Sequence, residues 1–266
     1  MPRTFLWEIS GNGLAGPSYL FGTTHLICES DIEMPEILRQ KIAGAKEVFL
    51  ETAPTSKNDS SSKVIFMGSD TTLKDLIGRS YYRKIKNILA ASKPIKEEVL
   101  NRIKPFHVGR LIDIASIKCK PVSYESVIIK IARTEKIPIN GLENAKEHAG
   151  VVDNIPLTIQ AQQLKAQVDK LELRIKAIEQ SMELYKQKEV LQLYYKAAYN
   201  GNYQQSKFKT SFLDERNMAW VPKIMAVTQK GSAFFAFGCA HLVGEVGVIN
   251  LLRKQGFTVS PVFYEQ

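Results

Sequence analysis

The apolar run Tyr19-Leu20-Phe21 stops at Gly22-Thr23-Thr24-His25, and far along the chain Phe234 to Phe237 stops in the same way at Gly238-Cys239-Ala240-His241. After each ending comes a helical pattern and then another strand-like run. Ile37, Leu38 and Ile42 precede Val48-Phe49-Leu50, and Val248, Leu251 and Leu252 precede Phe257 to Val262. A strand, a loop, a helix with apolar residues three and four apart and a second strand make a β-loop-α-β unit. Two such units, although diverged, restrict the chain to an α/β fold with parallel strands. They also place two of its four histidines at equivalent points.

Thr4 to Ser10 and Ser18 to Gly22 flank Gly11-Asn12-Gly13 and read as an opening hairpin. Ile137 to Glu143 is a further strand-like segment ending on a carboxylate, reached from a helix at Glu125 to Glu135. The fold expected from these segments is α/β, with a helical cap beside the sheet. It forms one domain over 1–266, with helical insertions at about 72–118 and 158–227. The first insertion follows a polar break at 56–62 and is interrupted by Pro94 and Pro105. In the second, Leu164, Val168, Leu171, Ile175, Ile178, Met182 and Tyr185 alternate at spacings of four and three, which predicts one long amphipathic helix over 158–199. Such a stripe packs within the chain or forms a homodimer.

Nothing in the composition suggests disorder: 44% of residues are hydrophobic and 24% charged. No apolar run reaches the roughly 18 residues of a membrane span, so no transmembrane segment is expected. Residues 74–136 carry 15 Lys and Arg against 6 Asp and Glu, which equals the whole net charge of +9. Tyr81, Tyr82 and Phe106 lie among these cations, but no nucleic-acid motif accompanies them. A solvated basic face is expected, with no nucleic acid as partner. Cys28, Cys119 and Cys239 lack the paired spacings of a zinc ribbon.

Four groups end strand-like segments: His25, Glu51, Glu143 and His241. With the segments side by side these side chains would converge on one rim, since open α/β sheets bind ligands beyond the carboxyl ends of their strands. Two imidazoles and one or two carboxylates form a set for a divalent ion of the Mn, Co or Zn type, and a carboxylate not on the ion can serve as general base. Arg216 and Asn217, at the start of another helix, are candidates for steadying an oxyanion. A glycine before each histidine is expected to let the backbone turn sharply and a ligand approach closely. His107 and His148 stand outside the repeated frame and are read as structural. Gly22-Thr23-Thr24 is not followed by a Walker pattern or a G-x-G-x-x-G, and no G-x-S-x-G elbow occurs.

In order along the chain, these residues resemble the TraB/PrgY/GumN family, which includes the Tiki proteins. Leu6-Trp7-Glu8-Ile9 followed by Leu20 to His25 is similar to its opening, and Val48 to Glu51 to the strand that follows. Gly141-Leu142-Glu143, Arg216-Asn217-Met218-Ala219 and Gly238 to Gly247 are similar to its central, helical and closing motifs. The resemblance implies a mixed central β-sheet with helices on both sides, a fold related to erythromycin esterase-like and ChaN-like proteins, and a metal-dependent, protease-type hydrolase using both histidines. It makes Glu51 and Glu143 acidic site residues and Arg216 with Asn217 a polar helix pair. Relatives commonly have Gly-Leu-Asp where this chain has Ser123-Tyr124-Glu125.

The function expected is thus hydrolysis of a peptide or small-molecule substrate. His25, His241, Glu51 and Glu143 would hold the ion, and Glu51, Glu143, Arg216 and Asn217 would take part in the chemistry. Two alternatives are a metal-free esterase-like hydrolase with a histidine base and a non-catalytic peptide- or haem-binding protein. Because many relatives carry an export signal, an extracytoplasmic location with the signal removed is expected.

Overall fold

A computed structural model of the chain describes residues 2–54, 64–90, 92, 94–199 and 209–264. The polar break at 56–62 lies outside them. The chain divides into two compact units, one of Met1–Pro54, Val122–Asn144 and Ser181–Gln266, the other of Thr55–Pro121 and Ala145–Gln180.

The strands are β1 (Leu6–Ser10), β2 (Ser18–Thr23), the two-residue β3 (Ile27–Cys28), β4 (Glu47–Thr52), the two-residue β5 (Pro121–Val122), β6 (Ile139–Glu143), β7 (Ala233–Gly238) and β8 (Thr258–Val262). Six of them form a mixed sheet in the order β6-β4-β7-β2-β1-β8. The hairpin is present: β1 runs antiparallel to β2, and its Gly11-Asn12-Gly13 turn holds three successive positive φ values. β8 closes the other edge of β1 antiparallel. The four remaining neighbours, β6, β4, β7 and β2, are mutually parallel. Such strands are buried on both faces and need continuous apolar sequence. The run Ala233-Phe234-Phe235-Ala236-Phe237 is buried throughout, and Phe49 stacks on Phe235 from the next strand. Helices Glu36–Ala43 and Tyr124–Thr134 pack on each other, as do Glu215–Thr228 and Val248–Lys254. The chain is therefore α/β, with its mixed sheet in the first unit.

Within the described residues the second unit is helical. Helix Leu73–Ile77 begins at a capping box between Thr72 and Asp75, and Pro105 opens helix Pro105–Ser116 at a position whose missing N–H costs nothing. Leu73, Tyr82, Ile85, Leu100, Val108, Ile112 and Leu164 form its own core. Its surplus cations draw on nearby carboxylates: Lys86 lies 2.8 Å from Glu97, Lys84 lies 3.6 Å from Asp169, and Lys104 pairs with Asp153.

The single long helix expected over 158–199 is three helices, Leu157–Asp169, Leu171–Lys186 and Val190–Tyr199. Lys170 interrupts the first junction at φ −113° and ψ 32°, and Lys188 takes the left-handed region at φ 56° in the second. Neither is a glycine or proline, so the breaks carry no local signal. The apolar stripe is shared between cores: Leu164 and Val168 join that of the second unit, and Tyr185, Val190 and Tyr194 join that of the sheet. No helix among the described residues is long and apolar enough to cross a membrane.

Candidate active site

Because four parallel strands end side by side, their carboxyl ends form one rim. Across it the sheet order sets Glu143 at the end of β6, Glu51 near the end of β4, Gly238 at the end of β7 with His241 in the helical turn that follows, and His25 just past β2. Thr23 and Gly238 are register partners, so the two histidine loops leave the sheet as neighbours.

Helix Glu215–Thr228 supplies the centre of this rim. Arg216 and Trp220, one turn apart, share a face, with the guanidinium 4.6 Å above the indole. Arg216 Nε and Nη2 donate to the two oxygens of Glu143 at 3.0 and 2.6 Å, and Nη2 also donates to Glu51 Oε2 at 2.5 Å. Nη1 donates to the Phe212 carbonyl at 3.1 Å and meets His241 Nε2 at 3.2 Å. A guanidinium has five N–H groups, and these contacts engage all of them. Trp220 adds its indole N–H to Glu143 at 3.3 Å. Burial alone would raise the pKa of Glu51. Arg216, His25, His241 and the Gly238 N–H, 2.8 Å from Oε1, outweigh it and hold the carboxyl well below its usual range.

His241 is 4% exposed, and both of its ring nitrogens are engaged. Asn217 Nδ2 donates to the Val246 carbonyl at 2.9 Å, which turns Oδ1 toward His241 Nδ1 at 2.6 Å. Since Arg216 can only donate, Nε2 accepts and Nδ1 carries the proton. The ring is neutral: burial pushes its pKa down to about 3 against the pull of Glu51. Asn217 thus fixes a tautomer.

His25 differs, its side chain 45% exposed. Nδ1 lies 2.7 Å from Glu125 Oε1, which also accepts from Thr23 Oγ1 at 2.6 Å. Burial raises the pKa of Glu125, but His25 and Thr23 together hold it below the usual value. Nε2 stands 3.7 Å from Glu51 Oε1. Glu125 reaches this rim because Ser123 caps helix Tyr124–Thr134, which puts the carboxylate in its first turn.

The motif glycines serve close approach rather than the sharp turn expected. Gly238 has φ −50°, open to any residue, and Gly22 lies within an extended strand. A Cβ on Gly22 would sit 2.6 Å from Leu242 Cδ1 and 2.9 Å from Cys239 Cβ. On Gly238 it would sit 3.2 Å from Glu51 Oε1 and 3.5 Å from His25 Nε2, filling the space between these donors.

The geometry brings together all six residues expected at the site but divides their roles. Two donors about 2.1 Å from one ion are at most about 4.2 Å apart. Glu51 Oε1 meets that limit with His25 Nε2 and also with His241 Nε2, 3.9 Å away. Among the described residues, however, Glu51 and both imidazoles do not gather within 4.8 Å of one another. Glu143 has both oxygens on Arg216 and His241 Nε2 faces Nη1, yet Glu51 and Glu143 still offer carboxylate oxygens within 4.8 Å of each other, and Glu51 Oε1 lies 3.7 Å from His25 Nε2, so these donors could hold an ion. Cys239 is buried, its thiol pushed up to about 12 by burial, which suits packing rather than ligation. Sequence reasoning left Glu125 and Trp220 outside the site. The helix cap at Ser123 was the available signal for the first, and the four-residue spacing from Arg216 for the second.

Comparison with curated proteins gives no match, and neither does comparison with solved structures. Residues 5–261, nearly the whole chain, match the model of the TraB/PrgY/gumN family, and the chain belongs to that family.

Proposed function

We propose that the chain is a hydrolase whose chemistry takes place where His25 meets Glu51, with a peptide-like substrate and a divalent ion of the Mn, Co or Zn type. The observation that carries this reading is the 3.7 Å separation of His25 Nε2 from Glu51 Oε1 at a half-exposed edge of an otherwise buried rim. The charge balance supports a cation there. Three carboxylates, Glu51, Glu125 and Glu143, gather there against Arg216, His25 and a neutral His241, a carboxylate-rich set that suits a cation. A bound ion would lower the pKa of its water to about 7 and polarise a substrate carbonyl.

The chain's own residues set up the rest. Arg216 bridges Glu51 and Glu143, and Asn217 fixes the Nδ1–H tautomer of a His241 ring that burial keeps neutral. The oxyanion role expected of Arg216 gives way to this holding role, because each of its N–H groups is engaged. A second reading needs no ion: His25, turned by Glu125, takes the proton from an attacking water through Nε2. The Nδ1 contact to Glu125 favours it.

Hydrolysis of a peptide and ester panel by the purified chain, before and after chelation, decides between them. Activity lost on chelation and restored by Mn or Zn is the expected result. Chelator-insensitive activity removes the ion and leaves His25 as base, and no turnover under any condition overturns the hydrolase reading.

A further inference from the structure

We propose that Glu125 is a positioning residue for His25, fixing the ring as its Nδ1–H tautomer and turning Nε2 toward Glu51 and the open rim. Three contacts tie the carboxylate to the loop that carries the histidine. Oε1 lies 2.7 Å from His25 Nδ1, the same oxygen accepts from Thr23 Oγ1 at 2.6 Å, and the Tyr124 N–H donates to the Thr24 carbonyl at 3.3 Å. The start of helix Tyr124–Thr134 is thereby fastened to the end of β2.

The other oxygen is buried and has no hydrogen-bond partner among the described residues. A carboxylate placed for stability collects partners on both oxygens. This one instead directs its bonded oxygen at Thr23 and His25, and the ring it meets is 45% exposed. Without that acceptor an imidazole at such a position populates chiefly the Nε2–H form, which offers a proton where a base or an ion ligand needs a lone pair. The shape of the contact is that of a histidine whose second nitrogen is set by a carboxylate, the arrangement that orients ligating and proton-accepting imidazoles alike. The role of Glu125 is therefore the same in either version of the chemistry.

The test is the ring state of His25 in the full chain, read by imidazole 15N correlation spectra at a pH where the histidines are neutral, in wild type and Glu125→Leu. Wild type is expected to show His25 as Nδ1–H. Leucine offers Nδ1 no acceptor, so the variant is expected to shift the ring toward Nε2–H. His241, held by Asn217, should keep Nδ1–H in both and report that the rim is still folded. A wild-type His25 in the Nε2–H form, or a variant that keeps Nδ1–H, overturns the proposal; should the variant not fold, the wild-type spectrum still decides.

The kinetic arm rests on the hydrolase reading: with a substrate that wild type turns over, kcat of Glu125→Leu should fall by about 100-fold while KM stays within about twofold. A tautomer that shifts with no loss of rate supports the positioning role and overturns the reading that His25 carries the reaction.

Discussion

His25 and His241 follow neighbouring parallel strands in the same Gly-x-x-His frame, yet their surroundings set them to different work. His241 is buried, with Asn217 on one nitrogen and Arg216 on the other, so its ring is fixed and its proton is not for exchange. His25 has a carboxylate behind it and solvent before it. The repeat therefore delivers two equivalent backbones, and the helices that supply Asn217, Arg216 and Glu125 make one ring structural and the other available. The difference teaches that a motif locates a side chain while its partners decide its chemistry.

The comparison breaks most readily at Arg216. Arg216→Met leaves Glu51 and Glu143 buried without their shared cation and should cost about 3–5 kcal/mol in urea unfolding. A loss below about 1 kcal/mol would mean the guanidinium is not what holds the two carboxylates. Asn217→Ala strands the proton on His241 Nδ1 and should cost about 1–3 kcal/mol by the same measurement. If that variant is as stable as wild type, His241 is held by something other than Asn217.

The acid limb of stability sharpens the contrast further. His241 has a folded pKa near 3 and an unfolded value near 6.5, so between those pH values the unfolded chain binds a proton that the folded chain refuses. Stability contributed by the neutral ring is whole above pH 6.5 and declines as pH falls through this window, by roughly 1 kcal/mol per pH unit. His107, pushed down to about 4 by burial, adds a decline of the same sign in the second unit. Between pH 6.5 and 5 the lowered carboxylates are ionised in both states. His241→Gln should flatten the slope there by its own share, and an unchanged slope would show that His241 is charged in the folded protein. His25→Ala removes a half-exposed ring but also a partner of the buried Glu125 carboxylate, and should cost about 1 kcal/mol.

Much of this rim was legible. The apolar runs ending at Gly22, Glu51, Glu143 and Gly238 give four strands, and parallel pairing is the arrangement that aligns such ends. What local pattern does not carry is the identity of each partner. Glu125 arrives from a helix whose start is tied to Thr24 by a backbone bond, a long-range contact with no spacing to announce it. Arg216 and Asn217 read as a polar pair at a helix start, but only the packed helix reveals that one clamps two carboxylates and the other fixes an imidazole. The glycines were legible as needed and misread in cause, because crowding from Leu242 and Cys239 is invisible along the chain. The break at Lys188 depends on a left-handed lysine that its neighbours in sequence do not require.

The central claim is that the exposed histidine carries the reaction, and the direct measurement is the rate of hydrolysis by His25→Ala under conditions where both it and wild type are fully folded. The rate should fall by about 10²–10⁴-fold. A variant that folds normally and hydrolyses substrate at the wild-type rate would contradict the account.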